Sequence, residues 1–354
     1  MEAIDYLSRL SSHRVASDTP LVRAGCDQAV VRAAVVREGR RATLEVEINP
    51  GRANRARVNK SALPRTRELA GLVRTVLFAP DDLALVKGDP AERRRFLDDL
   101  LVLRTPRLAG VRADYDRVLR QRNSLLKSLR GSRRDLDDHA GSTLEVWDSH
   151  LVALGGEVMH ERLILIEALR PYLVAAYRAV ARGSAREEAQ LAYQSAVLSV
   201  SSDPERPVDP VDFGVPDRST VTTALTSELL RRRRDELDRG ITLVGPHRDD
   251  VLFTLGNLER VLPVKGYASH GESWSFALAL KLASYELLRA DGDDPILILD
   301  DVFAELDAER RDQLAALVSG AEQVLVTAAV PADVPEALVG VRFQVAEGKV
   351  TRDD

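Results

Sequence analysis

The sequence predicts an α/β fold in which two strand-containing parts bracket an inserted antiparallel helical lobe. Strand patterns occur before residue 89 and return after residue 240, whereas the stretch between them places apolar residues three and four positions apart, as helices do. We therefore predict an α/β unit made of residues 1–88 and 240–354, with a helical arm at 89–239. A proline- and aspartate-rich stretch at 201–216 is predicted to be a connector within the arm.

The composition favours a soluble protein of the cytoplasm. A chain of 354 residues, 45% of them hydrophobic, is long enough for one large α/β unit with an insertion. The net charge of -5 creates no global cationic field, so any binding of nucleic acid must come from local patches. The single cysteine, Cys26, excludes an internal disulfide. No apolar run reaches the roughly 18 residues that a membrane helix needs, and we expect no membrane contact.

The first part of the chain combines a helix with short strands. Ile4, Leu7 and Leu10 keep helical spacing with no capping residue ahead of them, so the chain opens inside a helix. Alternating apolar residues at 30–36 and 43–48 predict a β-hairpin around Gly39. Further strands are predicted up to Val58 and at 73–78.

A basic segment crowds the end of the third of these strands. A run of charges is usually a solvated face, but it can also contact phosphates, and both interpretations stay open. The candidate DNA-binding residues are Arg52, Arg55, Arg57 and Lys60.

The arm begins with a clearly marked helix. Asp89, Pro90 and Glu92 occupy its N-cap, first and third positions. A second helix follows Pro106 and is predicted to end in a polar loop at 131–141.

The rest of the arm is also helical. Apolar spacing resumes after the loop, breaks near Pro171 and fades by Gly183. A last helix is predicted at 219–239, closed by Gly240, and a strand is predicted directly after it at 241–244. The polar turn at 245–250 is interpreted as a tight connection.

Two acidic residues follow the most strongly predicted strand. Four apolar residues at 296–299 precede Asp300 and Asp301, a pattern typical of a parallel strand that is buried on both faces. Open α/β sheets place ligands at the carboxyl ends of their strands. Asp300 could hold Mg²⁺ and Asp301 could orient or deprotonate an attacking water. The alternative is that both acids merely cap the next helix.

A second candidate segment lies upstream of this strand. Ser269 and Glu272 form the pattern of a capping box at the start of an amphipathic helix, which is a sufficient structural reason for their spacing. Gly271 in the first turn would also let a phosphate approach the free N–H groups of the helix. A helix start of this kind, followed by a buried strand with two acids, is the signature and Walker B succession of ATP-binding-cassette (ABC) heads.

The chain resembles the RecF family, bacterial recombination mediators related to SMC-type ATPase heads. The resemblance includes Ser12-His13-Arg14 and the stretch V-L-F-A-P-D-D-L-A-L-V-K-G at 76–88. It extends over nearly the whole chain through the segments 93–98, 115–123, 245–250, 269–272 and 298–307.

This resemblance implies an ABC-type ATPase head that binds ATP and Mg²⁺ and forms an ATP-dependent homodimer. It implies binding of single-stranded DNA and of junctions between single and double strands, and recombinase loading with mediators of the RecO and RecR type. Asp300 would be the Mg²⁺ carboxylate and Asp301 the catalytic one. Ser269, Gly271 and Glu272 would cover ATP held by the second copy, and Asp307 would be the D-loop aspartate.

Two departures from the family pattern modify these expectations. The phosphate loop G-x-x-x-x-G-K-[ST] does not occur in these residues, and Glu2-Ala3-Ile4 resembles the stretch that follows it in the family. We expect that the chain as written lacks the first strands of the sheet, folds badly and binds ATP poorly.

The second departure is Thr327, which with Ala328 follows the strand at the place where ABC heads usually carry a histidine. Slow hydrolysis is the expected consequence. The alternative function is a non-catalytic DNA- or protein-binding module that has lost the use of ATP.

Overall fold

The computed structural model describes residues 1–37, 39–130, 138–181, 186–198, 214–257, 260–292, 294–338 and 340–353. The helices are α1 (Glu2–Arg9), α2 (Leu83–Lys87), α3 (Pro90–Arg104), α4 (Leu108–Leu129), α5 (Asp138–Val180), α6 (Arg218–Arg239), α7 (Val264–Tyr267), α8 (His270–Ala290) and α9 (Ala308–Val318). The strands are β1 (Ala29–Arg37), β2 (Arg40–Ile48), β3 (Arg55–Val58), β4 (Ser61–Ala62), β5 (Thr75–Phe78), β6 (Glu188–Gln194), β7 (Asp250–Gly256), β8 (Val261–Pro263), β9 (Ile296–Asp300), β10 (Val324–Thr327), β11 (Arg342–Ala346) and β12 (Lys349–Asp353).

A parallel sheet in the order β10-β9-β5 lies at the centre of the core. Its middle strand is fully buried at Leu297, Ile298 and Leu299, as the run of apolar residues predicts. Helix α8 packs against the sheet and against α5, and its apolar residues are buried around almost its whole circumference. The sheet therefore holds the end of β9 between the ends of two neighbouring strands.

The antiparallel sheet β1-β2-β3-β4 confirms the predicted hairpin and basic strand. Leu44, Val46 and Ile48 alternate inward along β2 and form one apolar cluster with Tyr6 and Leu7 of α1. The first helix thus holds the antiparallel sheet beside the central one. It contacts β5 of the central sheet, where the hydroxyl of Thr75 donates to Asp5 of the helix over 2.9 Å.

The arm is an antiparallel helical lobe. Arg107, just before α4, pairs with Glu161 far along α5, whereas Arg122 near the end of α4 pairs with Asp148 near the start of α5, so the two helices run in opposite directions. Arg233 near the end of α6 also pairs with Asp148, which sets α6 antiparallel to α5. The predicted starts at Asp89 and near Ser219 and the closure at Gly240 are confirmed, Gly240 with a positive φ of 70°.

The predicted break near Pro171 is wrong, because α5 continues through it. Proline removes one N–H and frees the carbonyl four residues earlier, here that of Glu167. Both residues are exposed, so water can solvate that carbonyl, while Leu169 and Leu173 anchor the helix on its buried side. The predicted loop at 131–141 is wrong for 138–141, which are helical, and 131–137 lie outside the described residues.

The strand predicted at 241–244 is also wrong. The backbone N–H groups of this segment donate to side chains: that of Thr242 to Asn123 Oδ1 over 2.7 Å, and that of Leu243 to Glu236 Oε1 over 2.7 Å. With these groups satisfied by the arm, the segment does not join a sheet, and the strand begins at Asp250 instead.

The limits of the domains stay a prediction. Strand β6 lies inside the range predicted as the arm, yet it pairs with β7 of the last part of the chain. Most of the predicted connector, 201–213, lies outside the described residues.

Candidate functional site

The parallel sheet brings the carboxyl ends of three strands to one edge. Thr327 of β10 is the register partner of Asp300, and Phe78 of β5 is the partner of Leu299. Because all three strands are parallel, their carboxyl ends meet at the same edge, where such sheets bind ligands. This is where the sequence placed a Mg²⁺ and nucleotide site.

Asp300 is buried and held on both carboxylate oxygens. Its Oδ1 accepts a hydrogen bond from Thr327 Oγ1 over 2.6 Å, and its Oδ2 accepts one from Arg14 Nη2 over 2.7 Å. Burial alone would raise the pKa of Asp300, but the bonds from Thr327 and Arg14 outweigh it and lower the pKa below its ordinary value. Asp300 is therefore ionised at neutral pH, as a ligand of Mg²⁺ must be.

Asp301 has a different environment. It is exposed and adopts the left-handed conformation, with φ 57°, which aspartate tolerates better than most residues. Its backbone N–H donates to Thr327 Oγ1 over 3.0 Å. Within the described part of the chain its carboxylate forms no hydrogen bond or ion pair, so the group is available to a water or a ligand.

Thr327 positions the two acids. The sequence indicated this residue only because it stands where ABC heads usually carry a histidine. One hydroxyl donates to the carboxylate of Asp300 and accepts from the amide of Asp301, so it fixes both acids relative to each other. The signal in the sequence was a hydroxyl residue at the end of the strand that follows Walker B.

A small cavity adjoins this edge. It has a volume of about 110 Å³, and its lining includes Ser12, His13, Asp82 and Lys281. Lys281 of α8 pairs with Asp82 over 2.7 Å. Both ring nitrogens of His13 are buried and form no hydrogen bond with any described residue, and the ring lies 3.5 Å from Asp5 and 3.9 Å from Asp300. Three of the segments that carry the family resemblance, 12–14, 76–88 and 93–98, thus contribute to the lining of the cavity.

The start of α8 forms the predicted capping box. The amide of Ser269 donates to Glu272 Oε2 over 2.8 Å, and the amide of Glu272 donates to Ser269 Oγ over 3.2 Å. Ser269 is exposed at the surface, where a second molecule can reach it. A Cβ on Gly271 would lie 3.3 Å from the end of the partly exposed Arg310 side chain.

Asp307 serves as the N-cap of α9. Its side chain accepts from the amide of Arg310 over 2.9 Å and from the guanidinium over 3.1 Å. The starts of α8 and α9 therefore lie close together, because Arg310 pairs with Asp307 and its guanidinium lies beside Gly271. Asp300 and Asp301 belong to a separate group with Thr327 and Arg14.

The four candidate DNA-binding residues differ in their availability. Arg57 pairs with Glu45 and, over 2.7 Å, with Glu47, so carboxylates already neutralise it. Arg52, Arg55 and Lys60 are exposed and form no ion pair with any described residue.

The described residues bear on two other kinds of site. They contain no group of three or more histidine, cysteine, aspartate or glutamate side chains that could hold a metal ion. They also include no helix that is both long and apolar enough to cross a lipid bilayer.

Comparison with known proteins identifies the family. A relative from Nocardioides sp. strain JS614, named DNA replication and repair protein RecF, is 61% identical over 393 residues, which covers 100% of this chain and 90% of the relative. The chain belongs to the RecF family. RecF relatives from Frankia alni and Streptomyces avermitilis are 56% and 52% identical, each over 99% of this chain and 89% of the relative. No family model matches the chain.

Solved RecF structures confirm the predicted fold. A structure of the recombination mediator protein RecF-ATPrS in the RecFOR pathway matches with a TM-score of 0.83 at 25% identity, over 99% of this chain and 87% of that one. A second, of RecF-ATP, matches with the same TM-score at 24% identity. The fold is an ABC-type ATPase head with an inserted helical lobe.

Proposed function

We propose that this chain is an ATP-dependent, DNA-binding recombination mediator that acts in DNA replication and repair in the cytoplasm. The names of its RecF relatives, and the solved RecF structures named as RecF-ATPrS and RecF-ATP, support this proposal. The observation that carries it is the ionised Asp300 at the sheet edge beside Asp301, whose carboxylate has no partner among the described residues.

The residues at the sheet edge fit ATP with Mg²⁺. The ion prefers one or two carboxylates together with phosphate oxygens and water, and Asp300 with Asp301 is such a set. Asp300 would hold the ion, which supplies charge neutralisation to the phosphates when bound. Asp301 would orient and deprotonate the attacking water, and Thr327 keeps the two acids in register.

We also propose that two copies close on ATP. Ser269, Gly271 and Glu272 would cover nucleotide held by the partner copy, and Asp307 would approach the same interface. The exposed position of Ser269 supports this arrangement. Slow hydrolysis suits a clamp in which ATP controls dimerisation. The clamp would bind DNA near junctions between single and double strands, and mediators of the RecO and RecR type would join it there.

The test is the Asp301→Asn variant. Removal of the catalytic carboxylate slows hydrolysis but leaves Asp300 in place, so the ATP-bound dimer should persist. Light scattering after gel filtration with ATP and Mg²⁺ measures the dimer in the 354-residue chain and in a form extended upstream of Met1. Asp312→Asn, an exposed aspartate on α9, is the matched control and should behave like the unchanged protein.

Identical dimer populations and lifetimes for Asp301→Asn and the unchanged protein in both forms would contradict the proposal. That outcome would favour a non-catalytic module. The DNA-binding part is tested separately: replacement of Arg52, Arg55 and Lys60 by alanine should weaken the salt dependence of DNA affinity, whereas Arg57→Ala should change it less.

A further inference from the structure

A basic cleft lies between the 3₁₀ helix Thr66–Leu69 and helix α4, far along the chain from the sheet edge. It has a volume of about 460 Å³. Its lining consists of Arg65, Thr66, Arg67, Asp114 and Arg117. Three guanidinium groups therefore share the cleft with a single carboxylate.

Two of these three charges have no partner in the part of the chain that the structure describes. Arg117 pairs with Asp114 over 3.1 Å, which uses the only carboxylate in the lining. Across the described residues, neither Arg65 nor Arg67 forms an ion pair or a side-chain hydrogen bond. The cleft thus keeps an excess positive charge although the chain as a whole is negative. Some arginines of the arm differ: Arg231, for example, is paired with Glu228.

Both walls of the cleft are fixed by the core. On one side Leu69 is fully buried, and Thr66 Oγ1 donates to the carbonyl of Asn54 over 2.8 Å. On the other side Tyr115 and Val118, which flank Arg117 on α4, are buried in the arm. The guanidinium groups therefore project from anchored backbone, which reduces the ordering that a ligand would have to impose.

The chemistry of the cleft selects phosphate. Guanidinium groups match phosphate oxygens and bind them in pairs. The cleft is open rather than enclosed, and its lining contains no aromatic side chain on which an unpaired base could stack. The hydrogen bond from Thr66 to the carbonyl of Asn54 also places the cleft next to the segment that carries Arg52 and Arg55.

We propose that Arg65, Arg67 and Arg117 bind the phosphate backbone of duplex DNA, across the boundary between the head and the arm. This inference rests on the proposed DNA binding and adds its place and the form of DNA. Contact with the backbone alone makes the binding independent of sequence. The absence of a stacking surface in this lining assigns the cleft to the double-stranded side of a junction.

The test compares the triple variant Arg65→Ala/Arg67→Ala/Arg117→Ala with the unchanged chain. Fluorescence anisotropy with a short duplex, at a series of salt concentrations, gives the affinity and its salt dependence. We expect the slope of log affinity against log salt to become shallower by about 1 for each arginine removed. Affinity for a single strand of thymidines should fall much less.

Arg231→Ala/Arg232→Ala is the matched control, since both arginines are on the arm but paired with Glu228. It should leave duplex affinity within about two-fold, and circular dichroism checks that every variant is folded. Unchanged duplex affinity in the triple variant would overturn the proposal that the cleft binds DNA. Equal losses for duplex and single strand overturn the assignment to duplex. If the unchanged chain binds no DNA, the proposed function fails and this inference fails with it.

Discussion

Two polar segments of the head, the sheet edge at Asp300 and the turn at 245–250, look alike in the sequence but are held very differently. In the turn, polar groups are paired with arginines of the arm. Arg93 of α3 binds Asp250 with two hydrogen bonds of 2.7 and 2.9 Å, and Arg162 of α5 donates to the carbonyl of Pro246 over 2.7 Å. The turn is a joint between the head and the arm.

The sheet edge uses its polar groups more sparingly. Asp300 has two partners, of which Arg14 is largely exposed, and the carboxylate of Asp301 has none within the described chain. The carboxylate of Asp301 is exposed, so its free bonding capacity next to the fixed carboxylate of Asp300 leaves room for a ligand. The comparison teaches that unused hydrogen-bonding capacity, more than the number of polar residues, distinguishes a candidate binding site from a structural joint.

The largest expected effect follows from breaking the joint at Arg162. This buried guanidinium also binds Asp98 with two hydrogen bonds of 2.8 and 2.9 Å. Arg162→Met would leave Asp98 without its main partner, with Arg112 3.3 Å away as the remaining cation. We expect a loss of about 3–5 kcal/mol in the free energy of unfolding, measured by urea denaturation.

The control for this prediction is Arg170→Met on the same helix. Arg170 is partly exposed and pairs with Glu167 three residues away, an arrangement that contributes about 0.5 kcal/mol or less. Similar losses in the two variants would show that the turn is not specially held by the arm.

A second prediction concerns pH, because two groups of the turn respond to acid in opposite senses. Burial lowers the pKa of His247 to about 4, so only the unfolded chain takes up this proton between about pH 6.5 and 4, and acid destabilises the fold. Burial raises the pKa of Asp249 to about 6, so the folded chain takes up its proton first, and acid stabilises the fold between about pH 6 and 3.8. The two effects largely cancel.

Asp249→Asn should remove this cancellation. From about pH 7 to pH 4.5 the variant should lose about 2 kcal/mol more stability than the unchanged protein, as urea denaturation at the two pH values would measure. His247→Gln should instead gain stability in the same window. Parallel pH profiles for all three proteins would show that neither group titrates as the burial of the turn implies.

The sequence predicts most of the fold, and its errors have local physical causes. The buried strand β9, the hairpin and the helix caps follow from short-range patterns, and the structure confirms them. The strand expected at 241–244 does not form because the side chains of Asn123 and Glu236 accept hydrogen bonds from its amides. Glu236 is only a few residues away in the chain, whereas Asn123 is more than a hundred residues away. No local pattern could have indicated the contact with Asn123.

The candidate site shows the same division. Asp300 and Asp301 could be found from the strand that precedes them, and the capping box from its spacing. The sequence could not show that Arg14 contacts Asp300, because 286 positions separate them, or that Arg57 is already paired with two glutamates. Ion pairs across strands and between distant parts of the chain decide which charges remain available to a ligand. Only the folded structure shows these pairs.

The smallest expected effect tests whether the sheet edge is loosely held, as the comparison requires. Thr327→Val keeps the shape of the side chain but removes the hydroxyl that donates to Asp300 and accepts from the amide of Asp301. We expect a loss of only about 1 kcal/mol in urea denaturation, because Asp300 keeps Arg14 and the amide of Asp301 keeps the carbonyl of Thr327 at 3.2 Å. Thr327→Ser retains the hydroxyl and should lose less than half as much. If Thr327→Val instead cost as much as Arg162→Met, the sheet edge would be a structural joint like the turn, and its two acids would have no spare capacity to offer a ligand.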